Sequence, residues 1–117
     1  MSFRFRNFKV YKDAQALHLE IIKLVTTWPR NEYYLSDQLR RASLSIILNI
    51  AEGSSKQSDK DFNRFITISL GSVDEVIACL EIALKLKLLS ESEFKILEET
   101  LDAINKQLGG FSKSLRS

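Results

Sequence analysis

Little in this chain punctuates or reacts. Its 117 residues include 1 proline, 4 glycines and 1 cysteine, and the only histidine is His18. One cysteine excludes an internal disulfide and a thiolate zinc cluster. One histidine excludes the paired Glu-x-x-His motifs of di-iron bundles, and Gln15 stands where the glutamate would be. Cys79 lies in an apolar stretch and reads as core rather than nucleophile. No glycine-rich phosphate loop is present, because Gly109-Gly110 is followed by neither Lys-Ser nor a helix signal. The residues therefore offer no catalytic set, no metal site and no cofactor. No apolar run approaches the ~18–20 residues of a membrane span. Met1 to Lys12 has no signal-peptide core, so the expected location is the cytoplasm.

What is present is helical. Apolar residues make up 44% of the chain, enough for one core, and so few breakers favour a few long helices. Ala14, Leu17, Ile21, Leu24 and Val25 recur at helical spacing and predict a first helix over about Val10 to Trp28, stopped by Pro29. A second is predicted over about Tyr34 to Glu52. Its inner face is Leu35, Leu39, Ala42, Ile46, Asn49 and Ile50, and Gly53 is its expected left-handed stop. Ser58 caps a third, with Asp59 and Asp61 in its first turn, running to about Leu88. Gly71, between Ser69 and Ser72, suggests close approach of another helix there. A fourth starts near Ser90 or Ser92, carries Phe94, Leu97, Leu101, Ile104 and Leu108, and is expected to end before Gly109-Gly110. The predicted fold is all-α, an antiparallel up-down four-helix bundle forming one domain over residues 1–117, with a basic aromatic arm at 1–9 and a frayed tail at 109–117.

Charge is modest overall at +2 but uneven along the chain. Residues 1–12 carry +4 and residues 65–108 carry −4. The N-terminal half is basic, and the third and fourth helices are acidic. That polarity either steers an anionic partner, aligns subunits, or is simply a mixed solvated surface. In the arm, Phe3, Phe5 and Phe8 alternate with Arg4, Arg6 and Lys9. These aromatics either pack on the bundle or stack on bases while the arginines meet phosphates.

The most informative stretch is Leu39 to Gly53. Asn49 falls on an apolar helix face, where a single polar group tends to set register or oligomeric state. Gln38, Arg41, Ser45, Leu48 and Glu52 line the adjacent face. Either Arg41 and Glu52 form ion pairs across a helix or subunit contact, or Arg40 and Arg41 meet nucleic-acid phosphates. Lys56, Lys60 and Arg64 would extend the second patch.

Several of these residues also form a pattern. Trp28-Pro29, Glu32-Tyr33-Tyr34-Leu35, Gln38-Leu39-Arg40-Arg41-Ala42, Ser45-Ile46 and Asn49-Ile50-Ala51-Glu52-Gly53 are followed by Ser58, Phe62, Phe65, Gly71-Ser72 and Glu75. Over residues 5–108 the chain resembles the proteins encoded by intervening sequences in bacterial large-subunit rRNA genes, often labelled S23 ribosomal proteins. The accessory variability determinant of diversity-generating retroelements is a relative. The resemblance implies a four-helix bundle that assembles as a homopentameric ring without enzymatic activity. It implies possible RNA or DNA binding and, in the retroelement relatives, a polymerase partner. A net charge of +2 favours assembly over strong nucleic-acid binding. The expected function is a homo-oligomeric scaffold or adaptor with weak RNA or DNA contact. The alternative is a module that binds only protein.

Overall fold

The computed structural model describes residues 3–117. Four helices carry the fold: α1 (Lys9–Val25), α2 (Tyr33–Ser54), α3 (Asp59–Lys85) and α4 (Glu91–Arg116). Short 3-10 turns at Arg4–Asn7 and Arg30–Glu32 precede α1 and α2. Each helix packs on the next, and α1 closes the square against α4. The antiparallel bundle predicted from the four apolar stripes is the observed one. Its long axis measures 44 Å and its cross-section 21 by 20 Å.

The stripes meet along the axis. Leu17, Ile21, Leu39, Ile46, Ile50, Ile66, Leu80, Ile104 and Leu108 are fully enclosed. Truncating any one to alanine costs about 2–5 kcal/mol, by lost burial plus the cavity left behind. Two helix starts follow the sequence closely. Ser58 Oγ accepts the Asp61 N–H at 3.1 Å. Ser90 and Glu93 form a capping box, satisfying two otherwise orphaned N–H groups.

The helix ends differ from expectation. α1 stops at Val25, and Trp28 tucks into the following turn, buried. Gly53 is not a left-handed stop, for no described glycine has positive φ and α2 runs on to Ser54. Its missing side chain serves packing instead. A Cβ there would lie 2.8 Å from Phe65 Cβ and 3.0 Å from the Phe62 ring. Gly71 shows the reverse, since it is exposed with nothing near an added Cβ. The close helix approach expected at Gly71 is made by its serine neighbours, as Ser69 Oγ reaches across to the Ile46 carbonyl at 3.0 Å.

α3 ends in a different device. Lys87 takes φ 60°, with Leu88 N–H bonded to Ala83 O and Lys87 N–H to Leu84 O. That is the left-handed C-terminal turn usually given to glycine. α4 passes straight through Gly109-Gly110 to Arg116, so the stop and the frayed tail are both corrected. Beyond the glycines Phe111 packs on Phe8 and Phe62, and Ser112 donates to Asn63 at 2.6 Å. Tertiary contact at the far end outweighs the low helix propensity of two glycines.

Candidate functional site

The Leu39–Gly53 segment lies along the α2–α3 seam. Seen from outside, that seam is a row of polar bridges. Gln38 Nε2 donates to Glu75 Oε2 at 3.1 Å, and the Ser72 and Ser45 hydroxyls meet at 2.8 Å. Asn49 Nδ2 donates to Ser45 O and Ser45 Oγ at 2.9 and 3.0 Å. Asn49 is thus half-buried at the seam rather than set into the core, and its amide is satisfied within α2. The cross-helix ion pairs expected of Arg41 and Glu52 are not formed among the described residues. Arg41 pairs with Asp37 at 3.0 Å and Glu52 with Lys56 at 4.0 Å, each one turn away. Exposed pairs of this kind contribute at most a few tenths of a kcal/mol, about the helix i,i+4 value. Around the bridges lie exposed apolar side chains: Tyr34, Leu44 and Leu48 on α2, Ile68 and Ile82 on α3, and Leu86 just beyond it.

The arm packs on the bundle. Phe5 meets Tyr11 edge-on at 4.9 Å and Phe8 meets Phe111 at 5.1 Å. Phe3 remains exposed beneath the Arg6 guanidinium, 5.0 Å from its centroid. Arg4 donates through Nε and Nη2 to the Ser54 carbonyl at 3.2 and 3.1 Å, and lies 5.3 Å from the Phe62 ring. It thereby satisfies a carbonyl at the C-terminus of α2 and places its charge where the helix dipole favours a cation. Lys56 and Arg64 both sit over Phe65, at 5.0 and 4.5 Å. The close approach at Gly53 is what lets the Phe62 and Phe65 rings seat beneath these cations.

The seven candidate cations therefore divide. Arg4, Lys56 and Arg64 gather at one end of the bundle, with Arg6 beside them and Lys60 on the first turn of α3. Arg40 and Arg41 belong to the opposite half, about 20 Å along α2 from Ser54. Arg40 lies against Tyr33 at 5.4 Å. Antiparallel topology adds cations that position in the sequence did not suggest. Lys9, Lys12, Lys113 and Arg116 share the end with Arg4, because the start of α1 and the close of α4 meet there. The half holding residues 3–17, 44–72 and 104–117 carries +6, and the other half −4. The charge polarity runs along the bundle axis rather than between the first and second halves of the chain. The only signal for this was the alternation of helix direction.

The groups most open to catalysis are structural. His18 Nδ1 lies 2.6 Å from Ser43 Oγ, tying α1 to α2. Burial pushes its pKa below the usual value, favouring neutral imidazole. Burial, and then Glu75, push the Cys79 thiol pKa up, which disfavours the reactive thiolate. Among the described residues no group of three or more His, Cys, Asp or Glu side chains is placed to hold a metal ion, and no helix is long and apolar enough to cross a membrane. One buried donor is unmet, since Trp28 Nε1–H has no acceptor among the described residues. A buried unpaired group of this kind costs about 1–3 kcal/mol.

Known proteins resemble the chain in sequence and in fold. A crystal structure of a protein of unknown function from the S23 ribosomal protein family of Bacteroides thetaiotaomicron superposes with a TM-score of 0.82. It is 24% identical, and the match covers 89% of this chain and 95% of that one. At that identity the likeness speaks for the bundle fold. No curated protein matches the chain. The family model for 23S rRNA-intervening sequence proteins matches residues 6–110. Neither description names an enzymatic activity. With nearly its whole length matched, from the arm through the seam to the glycine pair, the chain belongs to the 23S rRNA-intervening sequence protein family.

Proposed function

We propose that the chain is a non-enzymatic, cytoplasmic scaffold or adaptor that assembles with copies of itself through the outer face of α2 and α3. One observation carries this reading: six large apolar side chains are exposed on that face, interleaved with the Gln38, Ser45, Asn49 and Ser72 bridges. Single exposed leucines are ordinary, but a shared apolar face is what an interface covers. The bundle that carries this face is 44 Å long and 21 Å across. That is room for the roughly 800 Å² per partner of a standard interface. A ring of five is the form in line with the family resemblance. Assembly would also group the basic ends, giving the scaffold a weak contact for RNA or DNA phosphates.

Light scattering on the wild type should give a multiple of 13.4 kDa. The Leu48→Glu/Ile68→Glu double variant should return the monomer with its helical content intact. A monomeric wild type at tens of micromolar would sink the proposal.

A second reading, docking of a protein partner without nucleic acid, is favoured by a separate feature. A groove of about 450 Å³ opens between α1 and α4, floored by Leu17, Leu24 and Leu97 and walled by Ile96. A partner retained after nuclease treatment and lost on Ile96→Glu would favour that reading.

A further inference from the structure

A smaller pocket, of about 200 Å³, opens at the corner where α1 turns into α2. Ile22, Val25 and Trp28 are among its apolar lining residues, and Arg30, Ser36 and Arg40 among its polar ones. No aspartate or glutamate lines it. Arg40 is held against Tyr33, which also borders the pocket. Its carboxylate partner Asp37 stands 3.5 Å away and is shared, for the other Asp37 oxygen is taken by Arg41 at 3.0 Å. One carboxylate thus serves two guanidiniums, and Arg30 adds a third cation. The surrounding half of the bundle is acidic, so the corner is a local reversal of sign. Trp28 is 9% exposed, and its Nε1–H is the buried donor without an acceptor.

We propose that this corner binds a small organic carboxylate. The carboxylate faces Arg30 and Arg40, because a guanidinium presents a planar fork matched to two carboxylate oxygens. The apolar body of the ligand lies against Ile22, Val25 and the Trp28 ring. A carboxylate oxygen is also the kind of acceptor that the buried indole N–H lacks among the described residues. The volume sets the size. Drug-sized ligands occupy about 300–1,000 Å³, so this pocket suits a body of roughly ten non-hydrogen atoms. At the usual efficiency per atom that places affinity in the millimolar to high-micromolar range. Two charges set into an apolar wall distinguish such a ligand from inorganic phosphate, which has no apolar body, and from a neutral amide, which has no charge. The proposal is independent of the self-association face, and its test reads a different signal.

Trp28 is the only tryptophan of the chain, so its fluorescence under selective excitation reports on the pocket directly. Titration of the full chain with benzoate, at constant ionic strength, should give a saturable change in the millimolar range or below. Benzamide and inorganic phosphate should bind at least 10-fold more weakly. Arg40→Gln and Arg30→Gln should each weaken benzoate at least 10-fold, while Arg64→Gln, at the far end of the bundle, should leave it unchanged. Far-UV circular dichroism checks each variant. If Arg40→Gln loses helix, the Arg30→Gln result decides. A non-saturating response in the wild type, an equal response to benzamide, or full binding by a folded Arg30→Gln variant overturns the proposal.

Discussion

The hydroxyls of Ser72 and Ser45 meet at 2.8 Å across the α2–α3 seam, and Ser45 in turn accepts from Asn49 at 3.0 Å. This thread joins two helices at the middle of the face whose apolar flanks are Leu48 and Ile68. Asn49→Leu would release Ser45 from one donor and add an apolar side chain beside Leu48. Helical content should change little, while the sedimentation profile shifts toward larger or less soluble species. An unaltered profile would remove Asn49 from any part in assembly.

Glycine is required at one position and missing from another. Gly53→Ala drives a Cβ to 2.8 Å from Phe65 Cβ, and overpacking of this kind costs about 1–3 kcal/mol. Lys87→Gly relieves the left-handed backbone at φ 60° and should stabilise by about 1 kcal/mol. Urea unfolding followed by circular dichroism should move the midpoint in opposite directions for the two variants.

Stability should fall in acid in two stages. His18 has a folded pKa depressed by burial, so the folded state favours neutral imidazole. Stability is therefore full above the ordinary value of 6.5 and declines as pH falls through it toward the folded value. Asp13 is held below its ordinary 3.8 by hydrogen bonds from Lys9 and then Gln107. Its contribution is present above that value and is lost at lower pH as the carboxylate protonates. In thermal unfolding across pH, His18→Gln should remove the first decline and Asp13→Asn the second.

Phosphate contact, where it occurs, should follow the bundle end and not the arginine pair in the family pattern. Each cation that meets a phosphate contributes about one unit to the slope of log K against log salt. Lys56→Gln and Arg64→Gln should each lower the slope for RNA by about one, and Arg41→Gln should leave it unchanged. Equal effects at both ends would contradict phosphate contact confined to the basic end, and salt-independent binding would remove the phosphate contact.

The four helices are legible because their apolar residues recur at the helical period, and the starts at Ser58 and near Ser90 or Ser92 because a cap acts within one turn. The ends are less so. Gly53 and Gly109-Gly110 carry a stop signal in local terms, yet Phe62 and Phe65 at one and Phe111 and Ser112 beyond the other hold the chain helical. Such contacts come from residues far away in sequence. Position in the sequence misgroups the candidate cations for the same reason. Arg40 and Arg41 stand closer in sequence to Lys56 than Arg4 does, but only the antiparallel return of each helix shows that Arg4 and Lys56 share an end. The Trp28 corner is not legible in the sequence because its two arginines are ten residues apart and line one pocket only after α1 has turned into α2.

Separation of +6 from −4 along the axis makes the chain an electric dipole aligned with its helices. If copies close into the proposed ring with their bundle axes along its symmetry axis, the dipoles stand parallel, so like ends crowd one rim and repel. The ring would then tighten as ionic strength rises, since the Debye length shrinks to about 8 Å at physiological salt. A polyanion laid across the basic rim would do the same, binding all protomers at once and driving their closure by mass action. Ligand and assembly would then be two readings of one equilibrium.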